Sequence, residues 1–259
     1  MVEQTNPVLR RINEGKLNSS EVEETLSQYS LLPRQIVQFL FAGASRLQGW
    51  EAVATELHRN IGEEEGSRTD EIPHYIILKD ALLKELALDI TNVHPAEGTK
   101  RFLNAIEKGL SEQSAAFAAG MLYALEDSAV PELAVVANII NKYALLVGQS
   151  EPIDLVRMSR DYKLNAMSSE AEKYCLNLFF ASHMLDFEIG HKNRLASAIQ
   201  SHISQEDIQA LEEGFEYVLD EMDMWWGSLA RAGGQGEFAA VKSQKKDIYE
   251  GEGALMLFG

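Results

Sequence analysis

Two histidines and two acids fall within nine residues of otherwise apolar sequence in Phe179-Phe-Ala-Ser-His183-Met-Leu-Asp186-Phe-Glu188-Ile-Gly-His191. Glu188 and His191 are three apart, so a helix carries them on one face. Inward-facing carboxylates and imidazoles on several helices are what a two-metal site in a bundle requires, because two cations need several oxygens as well as nitrogens. At ~100° per residue His183 lies ~80° from His191 but ~140° from Glu188. A π-bulge between His183 and Glu188 brings all three to one side, and such bulges favour functional sites. The competing reading is a pair of surface histidines beside solvated acids.

Two further groups belong to the same question. Glu126 closes the small and apolar run Met121-Leu-Tyr-Ala-Leu-Glu126, either as a buried ligand or as a helix end meeting solvent. Glu63-Glu64-Glu65, followed by His74, reads on its own as a solvated charge run. Met222, Met224, Trp225 and Trp226 read as packing residues.

The elements that must position these groups are helices throughout. Ser19-Ser20-Glu21 opens a helix to about Tyr29. Ile36, Val37, Leu40, Phe41, Ala44, Leu47 and Val53 keep helical spacing from Pro33 to about Asn60. Further helices are predicted from Pro73 to Leu86 and from Thr99 to Leu110. Ser111 to Glu126 is rich in small residues, and Val130-Pro131 opens another helix toward Gly148. Pro152 to Lys163, Ser169 to His202 and Ser204 to Leu229 follow. No segment alternates with strand period. The expectation is an all-α domain over residues 1–230, with a glycine-rich polar extension over 231–259.

Composition removes several function classes. Lys+Arg 23 against Asp+Glu 40 gives a net charge of −17, the opposite of a nucleic-acid-binding surface. The single Cys175 excludes an intrachain disulfide and a cysteine-based metal cluster. No phosphate-binding glycine loop and no nucleophilic triad is present. The N-terminus lacks the basic start and apolar run of a signal peptide, and no uncharged stretch reaches the ~20 residues of a membrane span. A cytoplasmic protein without a membrane partner is the expectation.

In order along the chain, these groups resemble the haem-oxygenase-like di-iron oxidase superfamily, and within it the CADD-like subgroup (named after the chlamydial protein associating with death domains). Asn60-Ile-Gly-Glu63-Glu64-Glu65-Gly66 with His74-Tyr-Ile-Ile-Leu78 is similar to the family's Asn-Leu-x-Asp-Glu-Glu-x-Gly stretch and the histidine after it. Leu122-Tyr123-Ala-Leu125-Glu126, with Pro131 beyond, is similar to its Leu-Tyr-x-Tyr-Glu segment, and His183…Glu188-Ile-Gly-His191 approximates its late His-x3-Asp-x2-His. The resemblance spans Leu9 to Leu229 and rests on the ordered set of motifs.

It implies Glu64, His74, Glu126, His183, Glu188 and His191 as ligands of two Fe ions, with no haem. It also implies a bundle of about seven to nine helices, O2 chemistry on a small organic substrate, and a homodimer. The His183–His191 interval is one residue longer than the family's, so either the bulge forms or Asp186 replaces Glu188. Tyr123 and Leu125 are the candidates for substrate contact. Where relatives that make p-aminobenzoate from their own tyrosines carry phenols, this chain has Leu125 and, near the start, Leu9. Two other readings stay open: a cofactorless enzyme of the same fold using His and Glu as acid and base, and a binding module.

Overall fold

The computed structural model describes residues 5–154 and 175–231. Within them the chain forms α1 (Pro7–Asn13), α2 (Ser19–Tyr29), α3 (Leu31–Arg46), α4 (Glu51–Glu64), α5 (His74–Leu86), α6 (Glu97–Glu112) and α7 (Ala115–Leu146). After the undescribed residues come α8 (Leu176–Ser182), a π-helical segment (His183–Phe187), α9 (Glu188–Gln200) and α10 (Ile208–Leu229). Because α8, the π segment and α9 run on without a break, the described residues hold nine helices and no strand, the all-α haem-oxygenase-like bundle that the sequence predicts. The predicted helix Pro152–Lys163 lies outside the described residues from 155 on, as does the C-terminal extension beyond Arg231.

α7 is the central strut. It is apolar on most of its faces, as suits a helix that packs against several neighbours at once. It packs most extensively on α10, then on α9, α2, α6, α3 and α1. By length and composition α7 alone among the described residues is apolar enough to cross a membrane. The sequence holds no uncharged stretch of that length, since α7 carries Glu126, Asp127 and Glu132; a buried core helix meets the same length and composition. The structure keeps one helix of 32 residues with Pro131 inside it. Proline costs one backbone hydrogen bond there, and packing along the length of α7 offsets that cost.

Two other boundaries differ from expectation. The single helix predicted from Pro33 to Asn60 is divided at Leu47–Trp50, where the Leu47 N–H bonds to Gly43 O and the Trp50 N–H to Leu47 O. Leu47 is fully buried at this corner, so the apolar spacing runs through the break and conceals it. The start of α2 is capped by Asn18, not by the serines after it: the Asn18 side chain accepts from the Glu21 N–H, and Glu21 accepts from the Asn18 N–H.

Crossing α7 over α10 demands glycine. A Cβ on Gly120 would fall on the Leu211 carbonyl oxygen, and one on Gly214 on the Phe117 carbonyl oxygen. Backbone therefore meets backbone at this crossing, and the indoles of Trp225 and Trp226 fill the core farther along α10.

Candidate metal centre

Four elements converge on one buried cluster. α4 delivers Glu63 and Glu64 in its last turn, and the first residue of α5 is His74. The loop between them turns at Gly66, whose φ of +106° suits glycine and whose Cβ would stand 2.6 Å from Ile72 N. Arg68 ties this loop to the π segment: it pairs with Asp186 at 2.6 Å and lies 4.4 Å over the Phe187 ring, which in turn stacks on His74. α7 contributes Glu126 from its middle.

The π segment and α9 contribute His183, Glu188 and His191. The Glu188 N–H reaches back to His183 O, five residues earlier, and this widened turn sets His183 and Glu188 on the same cavity. Asp186 points outward to Arg68 and is 39% exposed, so it does not take the place of Glu188.

All six side chains named from the sequence line one cavity. His74 Nδ1 lies 3.3 Å from Glu64 Oε1 and 3.1 Å from His183 Nε2. His191 Nδ1 lies 3.5 Å from Glu126 Oε2 and 3.6 Å from Glu188 Oε2. Glu64 connects the two groups, since it, Glu188 and His191 offer ligand atoms within 4.8 Å of one another.

A model of a domain of unknown function with a solved structure, DUF3865, matches residues 1–172 and 162–232. The chain belongs to that family. Two crystal structures of a CADD-like protein of unknown function from Nostoc punctiforme PCC 73102 are similar to it, both at 25% identity. One has a TM-score of 0.73 over 88% of this chain and 88% of that one; the other has 0.70 over 88% and 86%. No curated protein matches the chain. The chain is thus a DUF3865 member with a CADD-like fold, as its motifs anticipate.

Residues around the cluster fix how its imidazoles point in this DUF3865 chain. The His183 Nδ1–H donates to Phe179 O at 2.7 Å, which leaves the Nε2 lone pair facing His74. The His191 Nε2–H donates to Glu63 Oε2 at 3.1 Å, which turns Nδ1 toward Glu126 and Glu188. Carboxylates or carbonyls behind histidines are the usual support of metal-ligating imidazoles. Asn60 donates to Glu126 Oε1 at 2.9 Å, and Arg194 holds Glu63 Oε1 at 3.1 Å. Asn60, Glu63 and Arg194 were not among the ligand candidates. Their signal is helical spacing: Asn60 and Glu63 lie on the face of α4 next to Glu64, and Arg194 is three residues past His191.

The electrostatics fit a cation site. His183 is driven down to about 3 by burial and by the charge of His74, so it stays a neutral donor. Burial pushes Glu188 up to about 7, with Glu126 and Glu64 adding to the effect. Burial works against charge on His191, but contacts with Glu126, Glu188 and Glu63 outweigh it and push that imidazole up to about 12. The hydrogen bond from His191 holds Glu63 down to about 2. Burial works against charge on Glu64 too, but contacts with His74 outweigh it and hold its carboxyl below its ordinary value, so the cluster keeps anionic carboxylates facing the cavity. His74 Nε2 is buried with no hydrogen-bond partner among the described residues. The donor set therefore suits divalent transition-metal ions bound through imidazole and carboxylate.

The cavity, about 100 Å³, extends from the cluster along α7, where Leu125, Glu126, Ala129, Glu132, Leu133 and Val136 share its wall. Leu125 lines it as expected. Tyr123 does not: it packs against Phe215 at 5.8 Å, because α7 turns it away from the face that carries Leu125 and Glu126. Met222, read as packing, lines the cavity. So do Tyr29 and Tyr75, phenols that the sequence reading did not place there.

Glu132 is the acid that sequence reasoning passed over. It is 4% exposed and accepts from Trp226 Nε1 at 2.6 Å. Burial pushes its carboxyl from 4.5 up to about 7. The folded chain then holds this proton more tightly than the unfolded chain does. Its contribution to stability is accordingly fullest below about pH 4.5 and is lost as pH rises through about 7, a loss on the order of 3 kcal/mol. Glu132→Gln, which cannot ionise, is expected to shrink the fall in melting temperature between about pH 5 and about pH 8. An equal fall in wild type and variant would contradict the assignment.

Proposed function

We propose that this DUF3865 protein is a non-haem di-iron oxidase or oxygenase that uses O2 on a small organic substrate. The observation that carries the reading is the convergence of three carboxylates and three imidazoles, from four separate segments, on one apolar cavity. Glu64, His74 and His183 would hold one ion, and Glu126, Glu188 and His191 the other, with Glu64 facing both. When bound, the metal pair would supply reducing equivalents to O2. The chain's own part is to fix each donor atom: Phe179 O and Glu63 set the imidazole tautomers, Asn60 orients Glu126, and the apolar wall keeps water from the substrate.

Anaerobic titration with Fe(II), followed by exposure to O2, tests the reading. About two irons per chain and rapid O2 uptake that needs the iron are expected. One observation favours a second reading, an acid–base enzyme without metal: the six groups already touch one another as hydrogen-bonded and ion pairs. Binding of no more than trace iron, with the protein folded, would select that reading and overturn the first.

A further inference from the structure

The cavity has a second polar end. Glu132 lies six residues beyond Glu126 on α7, about 9 Å along the helix axis. One oxygen of its carboxylate takes the Trp226 indole N–H, and the other has no hydrogen-bond partner among the described residues. Tyr29, the last residue of α2 and 8% exposed, lines the same cavity, and its hydroxyl has no hydrogen-bond partner among the described residues either. Both groups are held by one aromatic pair. The Tyr29 ring stacks on Trp225 and Trp226 at 5.7 and 5.6 Å, and Trp226 is also the donor to Glu132. An acid with an unused oxygen and a phenol with an unused hydroxyl, both lining one cavity, can each pair with a ligand placed there, a hydrogen bond contributing about 0.5–1.5 kcal/mol.

What it recognises follows from charge and size. Much of the remaining cavity wall is hydrocarbon, with Ile36, Leu40, Leu78, Leu133 and Val136. Among the described residues no arginine or lysine lines the cavity, so none of them would offer a counter-charge to a carboxylate or phosphate facing the acid at this end. An ammonium group would meet the free Glu132 oxygen and the phenol oxygen. A net charge of −17 also draws cations toward the protein. A volume of about 100 Å³, below the ~150 Å³ cavity that takes benzene, limits the occupant to about six non-hydrogen atoms.

We propose that the site takes a small primary amine, its ammonium group at Glu132 and Tyr29 and its hydrocarbon body along α7 toward the six-residue centre. This rests on the reading of the cavity as the substrate site of the proposed oxidase.

Calorimetric titration of the full chain at about pH 8, where Glu132 is ionised and the amine protonated, with pentylamine, pentan-1-ol and pentanoate tests it, with iron-free and iron-loaded protein alike. Pentylamine is expected to bind at least about ten-fold more tightly than the alcohol, and pentanoate more weakly than both. Glu132→Gln should erase the amine's advantage, and Tyr29→Phe should reduce it. The amine-to-alcohol ratio is read within each variant, so a smaller folded fraction cancels. Pentanoate or pentanol binding as tightly as the amine, an unchanged ratio in Glu132→Gln, or no binding of any of the three would overturn the proposal. Iron stoichiometry on the same samples separates the two readings. Amine selectivity without iron binding sinks the oxidase and leaves this site standing, whereas two irons without amine selectivity sinks this site alone.

Discussion

His183→Ala and His191→Ala are both expected to lose iron, from about two per chain to one or fewer, yet to differ sharply in the stability of the metal-free protein. His191 touches Glu126, Glu188 and Glu63, and all three hold its charge in place. Removing it leaves buried carboxylates facing one another without a counter-charge, a change that costs about 3–5 kcal/mol. His183 is neutral, and the Phe179 carbonyl it leaves keeps the Ser182 hydroxyl and the backbone N–H of residue 183 as donors, so its loss costs chiefly buried packing, about 0.5–3 kcal/mol. Iron content by elemental analysis and urea denaturation of chelator-treated protein read the two effects separately. Two irons retained in His183→Ala would remove that residue from the ligand set. Equal stability losses would show that His191 carries no charge in the metal-free cluster.

The second large effect needs no ligand to be touched. Gly214→Ala and Gly120→Ala each place a methyl group on a backbone carbonyl of the partner helix. Neither flexible side chains nor solvent can give way there, so α7 and α10 must separate, at a cost of about 3 kcal/mol. Glu126 and Glu132 ride on α7, so iron content and cavity binding should fall together with stability. Gly49→Ala, where nothing lies within 4 Å, is the matched control and should stay within about 0.5 kcal/mol of wild type. A denaturation midpoint for Gly214→Ala equal to that of Gly49→Ala would refute the close crossing.

Among the helices, the best predicted are those whose ends carry chemistry. Pro73 before His74 marks the start of α5, and the acids after Asn18 mark α2. The predictions failed where burial overrides such signals. Pro131 reads as a break but sits within a helix packed by neighbours along its length. Leu47 keeps helical spacing through a corner, because a buried corner needs an apolar residue as much as a helix face does.

At the site, sequence alone determined which residue types are available and, by the 183-to-191 interval, that a regular helix cannot align them. An α-helix advances ~100° per residue, so a mismatch of ~140° between His183 and Glu188 is already a statement about backbone geometry. Only the tertiary structure decided between the bulge and Asp186, because Arg68 arrives from a loop more than a hundred residues earlier to claim that acid. It likewise decided that Glu63 stands behind His191, that Tyr123 faces away, and that Tyr29 and Glu132 share the far end of the cavity. Each of these depends on which helix lies across from which, and contacts between distant segments have no local period along the chain.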